Sequence, residues 1–247
     1  MKGPIKSITS EDIAAGAQPL NVRLEDGQTV SALLQVPAGA SACYVLAHGA
    51  GAGMKHAFLA EVAKGLAERG IATLRYQFLY MEHGSKRPDN PKVAQAAVRA
   101  AVQHASQAAP GLPLFAGGKS FGGRMTSQAQ AAGPLPGVRG LIFLGFPLHP
   151  PGQPSTQRAE HLFNIQIPML FLQGDRDEFA KLDFLNPLVE QLWPRTTLTL
   201  FPGADHSFHV PARSGRKDVD VRGELLDEVT RWIQGVISQS SAPPPKA

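Results

Sequence analysis

Residues 112–132 read LPLFAGGKSFGGRMTSQAQAA, and Gly118-Lys119-Ser120-Phe121-Gly122 within them forms a GxSxG sequence. A short apolar run comes before the motif and a helix-forming stretch follows it. The predicted order is therefore a strand at 112–116, a sharp turn, and a helix at 120–132 with Ser120 at its tip. That strand–turn–helix context turns a common five-residue pattern into a nucleophile elbow, in which the serine hydroxyl is lifted out of the chain. The glycines have a steric task there, because a tight turn brings neighbouring backbone too close for a Cβ. The competing reading is an ordinary βα turn in which Ser120 caps the helix.

Outward from the motif, the chain alternates strand and helix. A hairpin is predicted from strands at 21–24 and 29–36 around Asp26-Gly27. Apolar runs predict further strands at 42–47, 71–76, 138–146, 168–173 and 197–201. Helical spacing predicts helices at 57–69, 91–109, 182–192 and 223–238, the first of them closed by Gly70. Alternation from residue 42 onward predicts an α/β fold, a mostly parallel central sheet with helices on both faces. In such sheets ligands gather beyond the carboxyl ends of the strands. No internal repeat and no linker appears, so residues 1–247 read as one domain, with about 1–19 and 239–247 peripheral or flexible.

Composition narrows the function classes. The chain has 247 residues, 43% hydrophobic and 18% charged, with 25 glycines and 21 prolines, as expected of a soluble protein with a sizeable core and many tight connections. A net charge of +4 is spread without an aromatic-interleaved basic stripe, which argues against nucleic acid as a partner. The N-terminus has no apolar signal core and no segment approaches a membrane span, so a cytoplasmic protein that engages no membrane is expected. Cys43 is the single cysteine and sits in an apolar run, where it reads as a small buried hydrophobe. The histidines lack ligand spacing, so no metal is expected.

Two later loops hold the partners a serine nucleophile needs, a base and an acid that orients it. The strand at 168–173 ends in Gly174-Asp175-Arg176-Asp177, and the strand at 197–201 runs into Pro202-Gly203-Ala204-Asp205-His206. Both fall at strand carboxyl ends, in the chain order serine, acid, histidine. Asp177 is favoured over Asp175 as the acid, because a GxxD spacing lets the loop turn first. His206 is favoured over His209, being nearer the strand end with Gly203 before it. The glycine-rich loop His48-Gly49-Ala50-Gly51-Ala52-Gly53 leaves N–H groups unshielded. An oxyanion hole built from it would use Ala50 or Gly51 together with Phe121, the residue after the nucleophile. His48 reads as shaping that loop.

From about residue 20 to 238 these motifs resemble the α/β-hydrolase superfamily. The segments HGAGAGM, GGKSFGGRM, FPLHPPGQP, FLQGDRDEF and GADHSF are similar to one branch of it. That branch includes a testis-expressed hydrolase-like protein, a hydrolase-like subunit of a histone acetyltransferase complex, and bacterial proteins related to dienelactone hydrolases. The resemblance implies an α/β-hydrolase fold with a small or absent lid, with Ser120 as nucleophile, Asp177 as acid and His206 as base. The resemblance settles no substrate; from the three residues themselves, a serine hydrolase acting on a small carboxylic ester or thioester through an acyl-enzyme, without a cofactor and as monomer or homodimer, is expected. Because some members of the branch serve in assemblies, the alternative is a non-catalytic binding or assembly module. The proline-rich segment 146–168 is expected to be either a small lid or pocket wall, bringing Phe146, Leu148 and His149 near the substrate, or an irregular connection. Tyr80 or His83 from the loop at 77–90 is a further pocket candidate. Lys119 beside the nucleophile would favour an anionic substrate if it faces the pocket.

Overall fold

A computed structural model describes residues 16–241. Its strands are β1 (Gln18–Arg23), β2 (Thr29–Gln35), β3 (Ala42–Ala47), β4 (Ile71–Tyr76), β5 (Leu114–Lys119), β6 (Val138–Leu144), β7 (Met169–Gly174) and β8 (Thr196–Phe201). Its helices are α1 (Ala57–Ala67), α2 (Leu79–Glu82), α3 (Pro91–Ala108), α4 (Phe121–Ala132), α5 (Leu182–Gln191) and α6 (Asp218–Ser241). Of the two ends expected to be peripheral, residues 1–15 and 242–247 lie outside the described residues, whereas β1 starts at Gln18 and α6 runs to Ser241.

The strands make one eight-stranded sheet in the order β1-β2-β4-β3-β5-β6-β7-β8. β2 pairs antiparallel with β1 and β4, and all remaining pairings are parallel. The β1–β2 connection turns at Gly27 (φ +86), with the Asp26 carboxylate accepting the Gln28 N–H at 3.0 Å. The central strands β3, β4 and β7 are buried along their length, and β6 everywhere but Arg139, because helices cover both faces, which is why their sequences are mostly apolar without alternation. On one face, Leu59 and Leu66 of α1 and Val229 and Ile233 of α6 share a core with Phe115, Ile142 and Leu170. On the other, Ala97 and Val98 of α3 and Met125 and Ala129 of α4 pack with Phe143 and Phe171. Cys43 is fully buried in that second core, and burial pushes its thiol up to about 12. Among the described residues no helix is long and apolar enough to cross a membrane.

Two boundaries differ from the sequence reading for identifiable reasons. β5 continues through Gly117 and Gly118 to Lys119, although paired glycines suggested a turn. A Cβ at Gly117 would stand 1.9 Å from Ile142 O, and one at Gly118 would stand 2.2 Å from Ala47 O. The strand needs glycine there because its neighbours' backbones close in on it. α6 begins at Asp218, five residues before the expected 223. Asp218 and Asp220 favour its N-terminus, and the Asp218 carboxylate accepts the Val210 N–H at 2.9 Å. The segment after β6 forms a 3₁₀ helix, Gln157–Asn164, which packs against α4; Phe146, Leu148 and Leu162 in this segment are buried.

Candidate active site

Ser120 stands between β5 and α4 with φ 49° and ψ −116°, a left-handed conformation that non-glycine residues avoid unless the surroundings enforce it. The enforcement comes from close packing behind the turn. A Cβ at Gly122 would lie 2.6 Å from His48 O and 2.7 Å from Ala47 Cβ, and one at Gly123 would lie 2.8 Å from Gly118 O. The elbow is thus pressed onto the end of β3. Ser120 occupies the N-cap position of α4, yet its side chain makes no capping hydrogen bond. Instead the Oγ hydroxyl donates to His206 Nε2 at 2.9 Å, which removes the ordinary-cap reading.

His206 follows β8, and its Nδ1–H donates to Asp177 Oδ2 at 2.6 Å. Asp177, after β7, is 3% exposed and is fixed by two further donors. Phe179 N–H reaches Oδ1 at 2.8 Å, and the Gln173 side-chain amide donates to Oδ2. Gln173, fully buried, also accepts the Phe146 N–H at 2.9 Å. The Phe179 ring lies against the imidazole with centroids 4.3 Å apart. Burial holds His206 below the usual imidazole range, with the Lys119 charge acting in the same direction and Asp177 and Asp205 opposing. The imidazole therefore stays neutral, and able to accept a proton, into mildly acidic solution.

The carboxylate choice follows from the loop geometry. Asp175 accepts the Gly203 N–H at 2.8 Å and so ties the acid loop to the histidine loop without reaching His206. Asp205 accepts the N–H groups of Ser207 and His209. His209 is exposed and pairs with Asp218 at 2.8 Å.

The loop after β3 is braced from below. His48 is buried and held near 4 by desolvation. Its Nε2 accepts the Phe78 N–H at 3.0 Å, which leaves Nδ1 protonated and donating to Gly49 O at 2.8 Å. Gly51 N–H donates to the Tyr80 hydroxyl at 3.0 Å, and Met54 N–H to Gln77 Oε1 at 2.8 Å. Tyr80 is pinned in turn by its own N–H to Asp89 at 2.9 Å. Gly51 therefore has its amide committed, while Ala50 lines a cavity of about 330 Å³ at Ser120.

Ala50, Lys119, Ser120 and His206 all border that cavity; Phe58, Leu59 and Phe179 supply its apolar wall. Phe121 follows the nucleophile, with its ring edge-on to Phe78 and Tyr80. Other expected pocket residues are placed elsewhere. Phe146 is fully buried among Phe143 and Phe171. His149 is fully buried, with Nδ1 toward Pro150 O and Nε2 accepting the Lys181 N–H at 3.1 Å. Both serve the framework, so the expectation that they face the substrate does not match their placement. Tyr80 faces the loop and His83 is exposed; Lys119, in contrast, does border the cavity, with its Nζ engaged by a backbone carbonyl. The segment 146–168 contributes nothing to the cavity wall, so it forms no lid over Ser120. Sequence reasoning missed Gln173 and Phe179. A polar residue ending the apolar run PMLFLQ was the available signal for the first; the second had none.

Solved structures similar to this chain share the arrangement of the sheet and helices. An α/β serine hydrolase without a lid, XC6422 from Xanthomonas campestris, matches with a TM-score of 0.69 and 25% identity over 87% of this chain and 94% of its own. A dienelactone hydrolase from Anabaena variabilis matches with a TM-score of 0.70 and 19% identity over 89% and 97%. An esterase from Pyrococcus furiosus gives a TM-score of 0.70 and 14% identity over 94% and 97%. A family model for the α/β hydrolase domain matches residues 40–234, a span that includes the elbow, the braced loop and both partner loops. This chain belongs to the α/β hydrolase domain family.

Proposed function

We propose that the protein is a serine hydrolase that cleaves a small carboxylic ester or thioester through a covalent acyl-enzyme. The observation that carries this reading is the continuous hydrogen-bond path from Ser120 Oγ through His206 to Asp177, with contacts of 2.9 and 2.6 Å, at the wall of an open cavity. His206 Nε2 takes the hydroxyl proton as Oγ attacks the carbonyl carbon, and Asp177 holds the imidazole in the tautomer that accepts it. The tetrahedral oxyanion is received by the N–H groups of Phe121 and Ala50, each contributing about 3 kcal/mol to the transition state. Collapse expels the alcohol or thiol with the proton from His206. Water, deprotonated by His206, then releases the acid.

The cavity favours an uncharged acyl group. Phe58, Leu59 and Phe179 form its walls, and the Lys119 ammonium beside Ser120 already has an acceptor in His206 O. Among the described residues no segment covers the cavity, which suits modest substrates that enter directly from solvent.

A panel of short-chain p-nitrophenyl esters and acyl thioesters, run with wild type and Ser120→Ala, tests the reading. Turnover of at least one class, lost in the variant, with an acyl adduct on Ser120 detectable by mass, is expected. Equal background rates for both proteins across the panel would favour a binding or assembly role for the fold.

A further inference from the structure

Lys119 is the last residue of β5, one step before the nucleophile. Its Nζ donates to the backbone carbonyl of His206 at 2.6 Å and stands 5.7 Å from the Phe208 ring centroid. Gly145, the residue after β6, makes room for this contact. A Cβ there would lie 2.9 Å from Lys119 Nζ and 3.4 Å from His206 Nδ1, and its φ of +70° also favours glycine. The strand that carries the nucleophile is therefore joined to the loop that carries the base by a charge-assisted hydrogen bond separate from the Ser120–His206 contact itself.

We propose that Lys119 is a positioning residue: its ammonium group grips the His206 carbonyl and holds the imidazole in line between Ser120 and Asp177. The proposal rests on the hydrolase reading above, in which His206 is the base. His206 sits in a loop beyond β8, and small displacements of a reacting group cost large factors in rate. Asp177 fixes the imidazole from its Nδ1 side, whereas Lys119 fixes the backbone from which the ring hangs.

The same contact gives the proposal an electrical signature. The charged groups facing His206 are Lys119 from β5, Asp177 from the loop after β7 and Asp205 from its own loop. Arg176, Glu178 and His209 line the hollow on its outer side. The Lys119 charge opposes protonation of the imidazole, so removing it must raise the His206 midpoint. Burial presses Lys119 itself down to about 8, with Asp177 and Asp205 opposing; the ammonium is therefore mostly present across the pH range in which His206 titrates.

Titration of the His206 imidazole by NMR, assigned against His206→Ala, is compared in wild type, Lys119→Met and Lys119→Arg, alongside the pH dependence of kcat and KM. Each variant is first shown to unfold cooperatively. In Lys119→Met the His206 midpoint is expected to rise by about one pH unit. The acid limb of kcat/KM moves the same way, and kcat at the optimum falls roughly tenfold or more while KM changes less than about twofold. Lys119→Arg keeps the charge and holds the midpoint near that of wild type. An unmoved midpoint, or a folded Lys119→Met protein with wild-type kcat, overturns the proposal. Should Lys119→Met not fold, Lys119→Gln carries the same titration. The NMR arm needs no substrate, so a chain that turns over no ester fails the hydrolase reading while the titration still judges the Lys119–His206 coupling.

Discussion

Tyr80→Phe separates the two candidate oxyanion donors of the glycine-rich loop. The substitution removes one oxygen and keeps the ring, so the edge contact to Phe121 (centroids 6.4 Å) and the stacking on Phe78 (6.3 Å) remain. What is lost is the acceptor of the Gly51 N–H, at 3.0 Å. One such bond contributes about 1 kcal/mol net, more if the amide stays unsatisfied in a shielded place. A melting temperature lower by about 2–4 °C is therefore expected for a chain of this size. The effect on rate has a ceiling of one lost oxyanion donor, about 3 kcal/mol or roughly a hundredfold. With Ala50 as the donor, releasing Gly51 lets the loop drift, and kcat should fall between about fivefold and that ceiling while KM stays nearly constant. Steady-state kinetics on a short-chain ester, paired with thermal melts, measures both. A lower melting temperature with unchanged kcat would mean that Tyr80 supports the fold alone. A rise in kcat would mean that freeing Gly51 supplies a better donor, and would refute the assignment to Ala50.

Gly118→Ala should give no soluble folded protein, because its Cβ would sit 2.2 Å from Ala47 O and 2.8 Å from Ala47 C in a central strand. Gly152→Ala, where nothing lies within 4 Å, should cost only about 1 kcal/mol for its positive φ, and expression with thermal melts distinguishes the two. Gln173→Leu strips a donor from Asp177 and leaves the buried Phe146 N–H without its acceptor. A stability loss of about 1–3 kcal/mol in urea titration, together with a lower kcat, is expected; unchanged values for both would remove Gln173 from the site. The pH profile of kcat/KM should have an acid limb whose midpoint lies below 6.5, because burial lowers His206 from that value. Activity is then full above the midpoint and lost as pH falls through it, and a midpoint above 6.5 would contradict the burial argument.

Much of the fold was legible because the strands are short apolar runs and the helices carry 3.6-residue spacing, both local signals. Local signals also misled at the edges. Gly117-Gly118 looked like a turn because the sequence does not reveal how closely Ala47 and Ile142 approach it. The candidate constellation was readable because Ser120, Asp177 and His206 each follow a strand, so one topological rule gathers them at one sheet edge. Choosing Asp177 over Asp175 relied on loop length, and the structure brings Asp177 to His206 while Asp175 braces Gly203. Pocket walls were not readable. Phe146 and His149 stand near a strand end in sequence, but their side chains turn into the framework. Phe58 and Leu59 reach the cavity from α1, where helical periodicity marks them only as core. The roles of Lys119, Gly145 and Tyr80 depend on contacts between distant segments, which no local pattern encodes.

The central claim is that His206 and Asp177 activate the Ser120 hydroxyl. Labelling with a fluorophosphonate, followed by peptide mass analysis to locate the adduct, tests it most directly. Rapid stoichiometric labelling of wild type at Ser120 is expected, absent in Ser120→Ala and reduced by several orders of magnitude in His206→Ala. A verified folded wild type that stays unlabelled, or that labels equally fast without His206, would contradict it.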